Sequence, residues 1–170
     1  MRYPRGAGVG AVVDRSDLGT LPLGRAQLRR QGRAPAGRRL AILAFGPLLH
    51  AALKAAEEID ATVVDMRFIK PLDLEMLQRI AGSHDALVTL EEGAVRGGAG
   101  SACLEELQRL GWQLPVLCLG LPDSWLEHGD PAQIAASLGL DAAGVLRSIR
   151  ERFGALLDGG AAPHRQAANS

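Results

Sequence analysis

The stretch from Asp85 to Ser101, DALVTLEEGAVRGGAGS, decides the fold. It opens with an apolar run, passes two acids and enters a glycine-rich turn. Apolar residues at helical spacing follow, namely Cys103, Leu104, Leu107 and Leu110. This order predicts a buried strand, a tight loop and a helix that begins at a Ser101 cap. In an open α/β sheet, ligands or partners usually bind at the loop after a strand's carboxyl end. The loop is therefore the first place to look for function.

The glycines of this loop do not match a nucleotide-binding motif. A dinucleotide fingerprint needs G-x-G-x-x-G between strand and helix, and the segment GGAGS at 97–101 lacks that spacing. The chain also contains no G-x-x-x-x-G-K-[ST] phosphate loop. We interpret the glycines as residues that allow a tight turn and close packing of the helix on the sheet. The alternative is a polar contact surface for a neighbouring domain or subunit.

The rest of the chain alternates strand and helix patterns. Apolar runs at residues 40–45, 61–66 and 115–120 predict further buried strands. Asp73, Asp130 and Asp141 are predicted helix caps, and Gly82 is the predicted end of the helix that Asp73 starts. The β–α–β–α–β–α–β order predicts an α/β fold. We expect three layers: a mostly parallel sheet with one antiparallel edge strand, and helices on both faces.

An arginine-rich segment at residues 24–39 precedes the first buried run. The alternation of Ala26 and Leu28 predicts an edge strand, and arginines on such a strand discourage edge-to-edge pairing. No crossover helix is predicted between this strand and the next one, so we expect it to be the antiparallel member of the sheet. A nucleic-acid patch is the alternative. It is disfavoured because no aromatic side chain is interleaved for base stacking.

Composition narrows the class of protein. The 19 basic and 19 acidic residues balance, which argues against nucleic acid or an anionic membrane as the main partner. No apolar run approaches the length of a membrane span, about 20 residues. The two cysteines, Cys103 and Cys118, lie within apolar patterns, as expected for small core residues in a reducing compartment. We expect a cytoplasmic protein.

The chain divides into three parts by composition. Residues 1–23 combine Pro, Arg and Gly with a short apolar piece, which predicts the end of a preceding domain plus a linker. Residues 24–155 contain the strand and helix patterns of one domain. Residues 156–170 are small, polar and glycine-rich, which predicts a disordered tail.

Several phrases, in order along the chain, carry a family resemblance. They are RYPRG at 2–6, DMRFIKPLD at 65–73, SHDALVTLEE at 83–92, GGAGS at 97–101, GLPD at 120–123 and LGLDAAG at 138–144. The chain resembles the C-terminal part of the 1-deoxy-D-xylulose-5-phosphate synthase family, thiamine-diphosphate enzymes of the transketolase group. The resemblance covers residues 2–153. It implies a transketolase C-terminal fold, and it identifies residues 1–23 as the remnant of a pyrimidine-binding domain.

The resemblance also implies an activity and one site residue. Enzymes of this family use thiamine diphosphate and Mg²⁺ to join the two-carbon unit of pyruvate to glyceraldehyde 3-phosphate, for isoprenoid, thiamine and pyridoxal synthesis. Arg5 matches the arginine that binds the phosphate of glyceraldehyde 3-phosphate. The family's Gly-Asp-Gly metal motif does not occur in this chain, so we expect no cofactor, metal or catalytic residue here. The expected partners are the missing N-terminal domains or another subunit, or a second copy in a homodimer.

Three other functions remain open from the sequence. The chain could be a stand-alone interaction or regulatory module of the same fold, the C-terminal domain of a related 2-oxo-acid dehydrogenase β subunit, or a small nucleotide-binding α/β domain. The missing glycine fingerprint disfavours the last of these. His50, His84 and His128 are predicted to make local or surface contacts and not to act as acid–base catalysts. His164 lies in the predicted tail.

Overall fold

The structure, a computed structural model, describes residues 19–160. A five-stranded sheet has the order β1-β3-β2-β4-β5. Its strands are β1 (Gln27–Arg30), β2 (Leu40–Phe45), β3 (Thr62–Asp65), β4 (Ala86–Ala94) and β5 (Val116–Leu121). The helices are α1 (Leu49–Ile59), α2 (Leu74–Ser83), α3 (Ala99–Arg109), α4 (Pro131–Ser137) and α5 (Ala142–Leu157), and a 3₁₀ turn (Gly46–Leu48) precedes α1.

Strand β2 lies at the centre of the sheet and is buried along its whole length. It pairs in parallel with β3 on one side and with β4 on the other. Its alternate side chains enter two cores, one beneath α1 and α5 and one beneath α2 and α3. Burial on both faces explains why this strand reads as a continuous apolar run. The predicted three-layer α/β fold is confirmed.

Strand β1 pairs antiparallel with β3 at one edge of the sheet. Its alternating burial, with Leu28 partly buried and Arg29 exposed, matches a strand that covers the core on one side only. The prediction of an antiparallel edge strand in the arginine-rich segment is therefore confirmed.

The helix termini show which local sequence patterns were sufficient to predict where a helix begins or ends. Asp73, Asp130 and Asp141 each accept a hydrogen bond from the backbone N–H three residues later, so all three predicted caps are confirmed. The prediction for Gly82 is wrong, because α2 continues to Ser83. Helix α5 also passes the predicted boundary at 155, since it continues to Leu157 with Leu156 buried.

Strand β5 differs from its prediction as a fully buried strand. It is the edge opposite β1, and all six of its residues are only partly buried. Within residues 19–160, the side of β5 that faces away from β4 has no neighbouring strand. Across residues 19–160, no helix is both long and apolar enough to cross a membrane.

Candidate functional site

The switch point of the sheet lies between β2 and β4. These strands are neighbours, but the helices that follow them, α1 and α3, pack on opposite faces. Phe45 and Glu91 are register partners at the carboxyl ends of the two strands. A crevice of this kind is the usual ligand position in open α/β sheets. Whether this crevice is open to a ligand or filled by a side chain of the chain itself therefore helps to decide the function of the domain.

Glu91 occupies this position from within the chain. Its side chain is only 5% exposed, and its carboxylate oxygens accept hydrogen bonds from the backbone N–H groups of Ala99 and Gly100, each at 2.8 Å. These groups belong to the first turn of α3, where a nucleotide-binding domain would hold a phosphate. The protein's own carboxylate fills that anion position, which argues against the nucleotide-binding alternative.

The predicted Ser101 cap is wrong. The N-cap residue of α3 is Gly98, and the capping acceptor is Glu91 from the preceding strand. The Ser101 hydroxyl accepts from the Gly97 N–H and donates to the Val95 carbonyl, both at 3.0 Å. Ser101 therefore shapes the loop and does not start the helix.

Two glycines in this segment permit close packing, as the sequence predicts. A Cβ atom at Gly98 would overlap the Ala94 carbonyl oxygen and the Glu91 carboxylate. A Cβ atom at Gly100 would lie 2.5 Å from the Thr89 hydroxyl oxygen. Any side chain at either position would push α3 away from the sheet, so both positions require glycine.

Thr89 is an unsatisfied polar residue beneath α3. Among residues 19–160, its hydroxyl oxygen is the buried side-chain oxygen or nitrogen atom that has no hydrogen-bond partner. We expect Thr89→Val to stabilise the fold by about 1 kcal/mol, since an unpaired buried hydroxyl carries a desolvation cost. Urea unfolding measures the change.

Thr62 provides the matched control for this substitution. It is equally buried, but its hydroxyl is bonded to the His84 ring and to the Gly32 N–H. Thr62→Val is expected to destabilise by about 1–3 kcal/mol. A loss of stability in both variants would contradict the assignment of Thr89 as unsatisfied.

The cysteines are free, and Cys103 is fully buried. Burial raises the pKa of the Cys103 thiol to about 12, so the thiol is protonated and unreactive at neutral pH. Cys118 is only partly buried, because it lies on the edge strand β5. The prediction of small packing residues is confirmed for Cys103 and holds in part for Cys118.

His84 is a buried structural residue. Its Nδ1 lies 3.1 Å from the Ile80 carbonyl oxygen, and its Nε2 lies 2.8 Å from the Thr62 hydroxyl. A neutral ring that donates from Nδ1 and accepts at Nε2 satisfies both contacts. The predicted local hydrogen bonding of His84 is confirmed, and it joins the end of α2 to the start of β3.

This arrangement makes stability depend on pH. Burial lowers the pKa of His84 below its ordinary value of 6.5, and nearby Arg39 adds to the effect. Because the folded pKa lies below the unfolded one, the unfolded chain binds the proton first. The contribution of neutral His84 to the free energy of unfolding is fully present above pH 6.5. It decreases as the pH drops below 6.5, by at most about 1.4 kcal/mol per pH unit.

The measurement is the urea midpoint between pH 8 and pH 5. We expect His84→Gln to flatten this dependence. The control is His50→Gln, at an exposed position on α1, which should keep the slope of the unaltered chain. Equal slopes in all three proteins would contradict the role of His84.

Other predicted site residues lie apart from this region. Arg5 and His164 are outside the described residues. His128 is exposed, like His50. Within the described part of the chain, no group of three or more His, Cys, Asp or Glu side chains is placed to hold a metal ion. The glycine loop thus gathers structural contacts rather than a catalytic set.

A second feature is a surface that we call the β5 flank, defined as β5, Leu104, Trp112, Leu114 and Trp125. The side chains of Leu104, Trp112 and Leu114 line a cavity of about 310 Å³ together with Gln108, Gln113 and Val116. Leu104 is 43% exposed. Just beyond the carboxyl end of β5, Trp125 is 89% exposed. An open strand edge beside exposed apolar side chains has the chemistry of a docking surface.

The sequence reasoning missed both Glu91 as a cap and the β5 flank. The signal for Glu91 was an acid directly after a buried strand, and the signal for the flank was a tryptophan in a polar loop.

The fold is an α/β domain with a mostly parallel sheet, and its switch-point crevice is filled by the chain's own Glu91 side chain. The sequence model for "Transketolase, C-terminal domain" matches residues 29–145, and the chain belongs to that family. It is 63% identical over 158 residues to 1-deoxy-D-xylulose-5-phosphate synthase of Methylibium petroleiphilum, covering 93% of this chain and 25% of that protein. It is 58% identical to the synthase of Cupriavidus metallidurans, covering 90% and 24%.

A solved structure shows the same fold. The chain described as "Split gene transketolase, inactive beta4 tetramer" superposes with a TM-score of 0.72 at 31% sequence identity. The match covers 86% of this chain and 47% of that one.

The present chain spans about a quarter of the length of the synthases it matches, and it corresponds to their C-terminal domain.

Proposed function

We propose that this chain is the C-terminal domain of a 1-deoxy-D-xylulose-5-phosphate synthase, and that it serves domain packing and subunit assembly. The observation that carries the proposal is the 63% identity over 93% of the chain to a synthase four times as long. Identity this high favours the synthase over a 2-oxo-acid dehydrogenase β subunit. By itself the chain is inactive under this proposal.

The chemistry of the reaction resides elsewhere in such an enzyme. Thiamine diphosphate and Mg²⁺ need a metal-ligand set and a free diphosphate position. Residues 19–160 contain no cluster of metal ligands, and Glu91 occupies the first turn of α3. These residues therefore do not fit the cofactor, which the remaining domains would bind.

The β5 flank supplies the docking surface. Its partner under this proposal is the N-terminal three quarters of the synthase, in the same chain or in another. The matching solved chain is described as an inactive β4 tetramer, which supports assembly as the role of chains that contain this fold. A homodimer through the same flank is the second possible assembly. The free cysteines fit a cytoplasmic setting.

The terminal segments complete the proposal. Residues 1–23 are the end of the pyrimidine-binding domain and its linker, and the family domain extends from residue 24 through the end of α5 at Leu157, before the tail. Arg5 is proposed to bind the phosphate of glyceraldehyde 3-phosphate, because a guanidinium pairs bidentately with phosphate.

The proposal is tested with a chimera. The C-terminal quarter of the Methylibium petroleiphilum synthase is replaced by this chain, and turnover of pyruvate with glyceraldehyde 3-phosphate is measured. We expect turnover by the chimera and none by this chain alone. An inactive but folded chimera would favour the stand-alone module. Turnover by the isolated chain would overturn the inactivity of the domain.

Arg5 makes a specific prediction in the chimera. Arg5→Gln is expected to raise KM for glyceraldehyde 3-phosphate by about tenfold or more, the loss of one charged hydrogen bond of about 1.5–3 kcal/mol, with KM for pyruvate little changed. Arg2→Gln is the matched control. Equal effects of the two substitutions would contradict the assignment of Arg5.

A further inference from the structure

The arginine-rich segment divides into two groups by its partners. Arg25, Arg29 and Arg30 each form an ion pair with a carboxylate. Within residues 19–160, Arg33, Arg38 and Arg39 form no such pair at 4.0 Å or less, and of these three only Arg33 and Arg39 line a common cavity. Edge protection and ion pairing explain the first group. The second group needs another explanation.

Arg33 and Arg39 lie together at the amino edge of the sheet. They line a cavity of about 290 Å³ with Gln31, Thr62, Ser83 and His84. The position follows from the topology, because antiparallel β1 ends where β2, β3 and β4 begin. The cavity is therefore on the opposite edge from the Glu91 crevice and independent of it.

The Asp60 carboxylate also lines this cavity, and both Asp60 and the nearby Asp85 already accept hydrogen bonds. The Asp60 carboxylate accepts from the Arg30 guanidinium and from the Arg33 N–H. One Asp85 oxygen accepts from the N–H groups of Gly37 and Arg39. The carboxylates thus hold the surrounding loop in place. Arg33 donates its backbone N–H to Asp60, but within residues 19–160 its guanidinium forms no ion pair at 4.0 Å or less, and Arg39 donates its Nε to the Ala34 carbonyl.

The wall of the cavity is fixed by the His84 network. His84 bonds Thr62 and Ile80, and the Thr62 hydroxyl also accepts from the Gly32 N–H. This network anchors the segment that carries Arg33 to β3. The two guanidinium groups are therefore attached to a braced loop, and each can present a planar pair of donors.

We propose that this cavity binds a small phosphorylated anion through Arg33 and Arg39. Guanidinium forks match phosphate oxygens bidentately, and the volume lies near the lower end of small-molecule sites. Gln31 lines the same cavity, and its amide nitrogen donates to the Gly32 carbonyl and the Thr62 hydroxyl, so the two arginines are the donors left for the ligand. The site is separate from the proposed synthase chemistry, since it needs only residues of this domain.

The test titrates the whole chain with inorganic phosphate and with pyrophosphate, at an ionic strength held constant with NaCl. Backbone and arginine side-chain NMR shifts report binding. We expect saturable shifts at residues 31–34 and 39, with pyrophosphate binding more tightly. The double variant Arg33→Gln, Arg39→Gln should weaken binding by about tenfold or more, as loss of charged hydrogen bonds predicts.

Arg150→Gln is the matched control, because it removes one exposed charge on α5, away from the cavity. It should leave the dissociation constant unchanged within about twofold. The backbone spectrum of the double variant reports whether it is folded. If it is not, Arg33→Gln alone is compared with Arg150→Gln. Absence of saturable shifts up to about 10 mM ligand, or equal weakening by Arg150→Gln, would overturn the proposal.

Discussion

Replacing Glu91 with alanine is expected to lower the free energy of unfolding by about 3 kcal/mol, because two buried N–H groups lose their acceptor. Ala99 and Gly100 donate to this carboxylate at 2.8 Å, and both are buried. The negative charge of Glu91 also lies at the positive N-terminal end of the α3 dipole and interacts favourably with it. Loss of this interaction further lowers the free energy of unfolding. Urea or thermal unfolding of the chain measures the effect.

Two matched variants separate the cap from a general charge effect. Glu92→Ala removes the adjacent carboxylate, which is exposed, and should change stability by less than about 0.5 kcal/mol. Glu91→Gln keeps one oxygen acceptor and should lie between the other two. If Glu91→Ala and Glu92→Ala had the same effect, the capping role would be wrong.

The caps show which contacts a sequence reveals. Asp73, Asp130 and Asp141 each bond a group three residues ahead, so the whole interaction is local and its pattern is visible. Glu91 bonds groups eight and nine residues ahead. That contact exists only after the strand and helix have packed. Ser101 therefore had the better local pattern, and the tertiary contact decided the outcome.

The strands show the same division. The apolar run of β2 and the missing crossover before it were enough to predict a central buried strand and an antiparallel edge strand. The run in β5 is just as apolar, yet β5 is an edge. An apolar composition predicts that a strand is shielded from water, but it does not predict whether a neighbouring strand or another domain shields it. Within residues 19–160, no further strand pairs with the outer edge of β5, and the apolar run alone could not predict this open edge.

The Glu91 contact also bears on how fold and function relate here. The same crevice that binds ligands in many α/β proteins is closed by a side chain of the domain itself. A domain that retains the architecture but fills its own ligand position supports the proposed role in domain packing and assembly. This is the physical basis for seeking function on the β5 flank.

The β5 flank gives the second large expected effect. In the chimeric synthase, the double substitution Trp125→Ala, Leu104→Glu is expected to reduce kcat/KM by about 100-fold, since loss of a tryptophan anchor and insertion of a charge cost about 2–4 kcal/mol in a docked interface. Trp125 is 89% exposed in the domain alone, so its loss should leave the isolated chain's stability unchanged.

Hydrogen exchange supplies a readout that activity does not. The β5 amides that point away from β4 should exchange rapidly in the isolated chain and slowly in the chimera, and the double variant should restore rapid exchange. Leu23→Ala is the control, because Leu23 is equally apolar and 74% exposed but lies next to the β1 edge. Slow exchange of β5 in the double variant, or equal loss of activity from Leu23→Ala, would show that the other domains dock elsewhere.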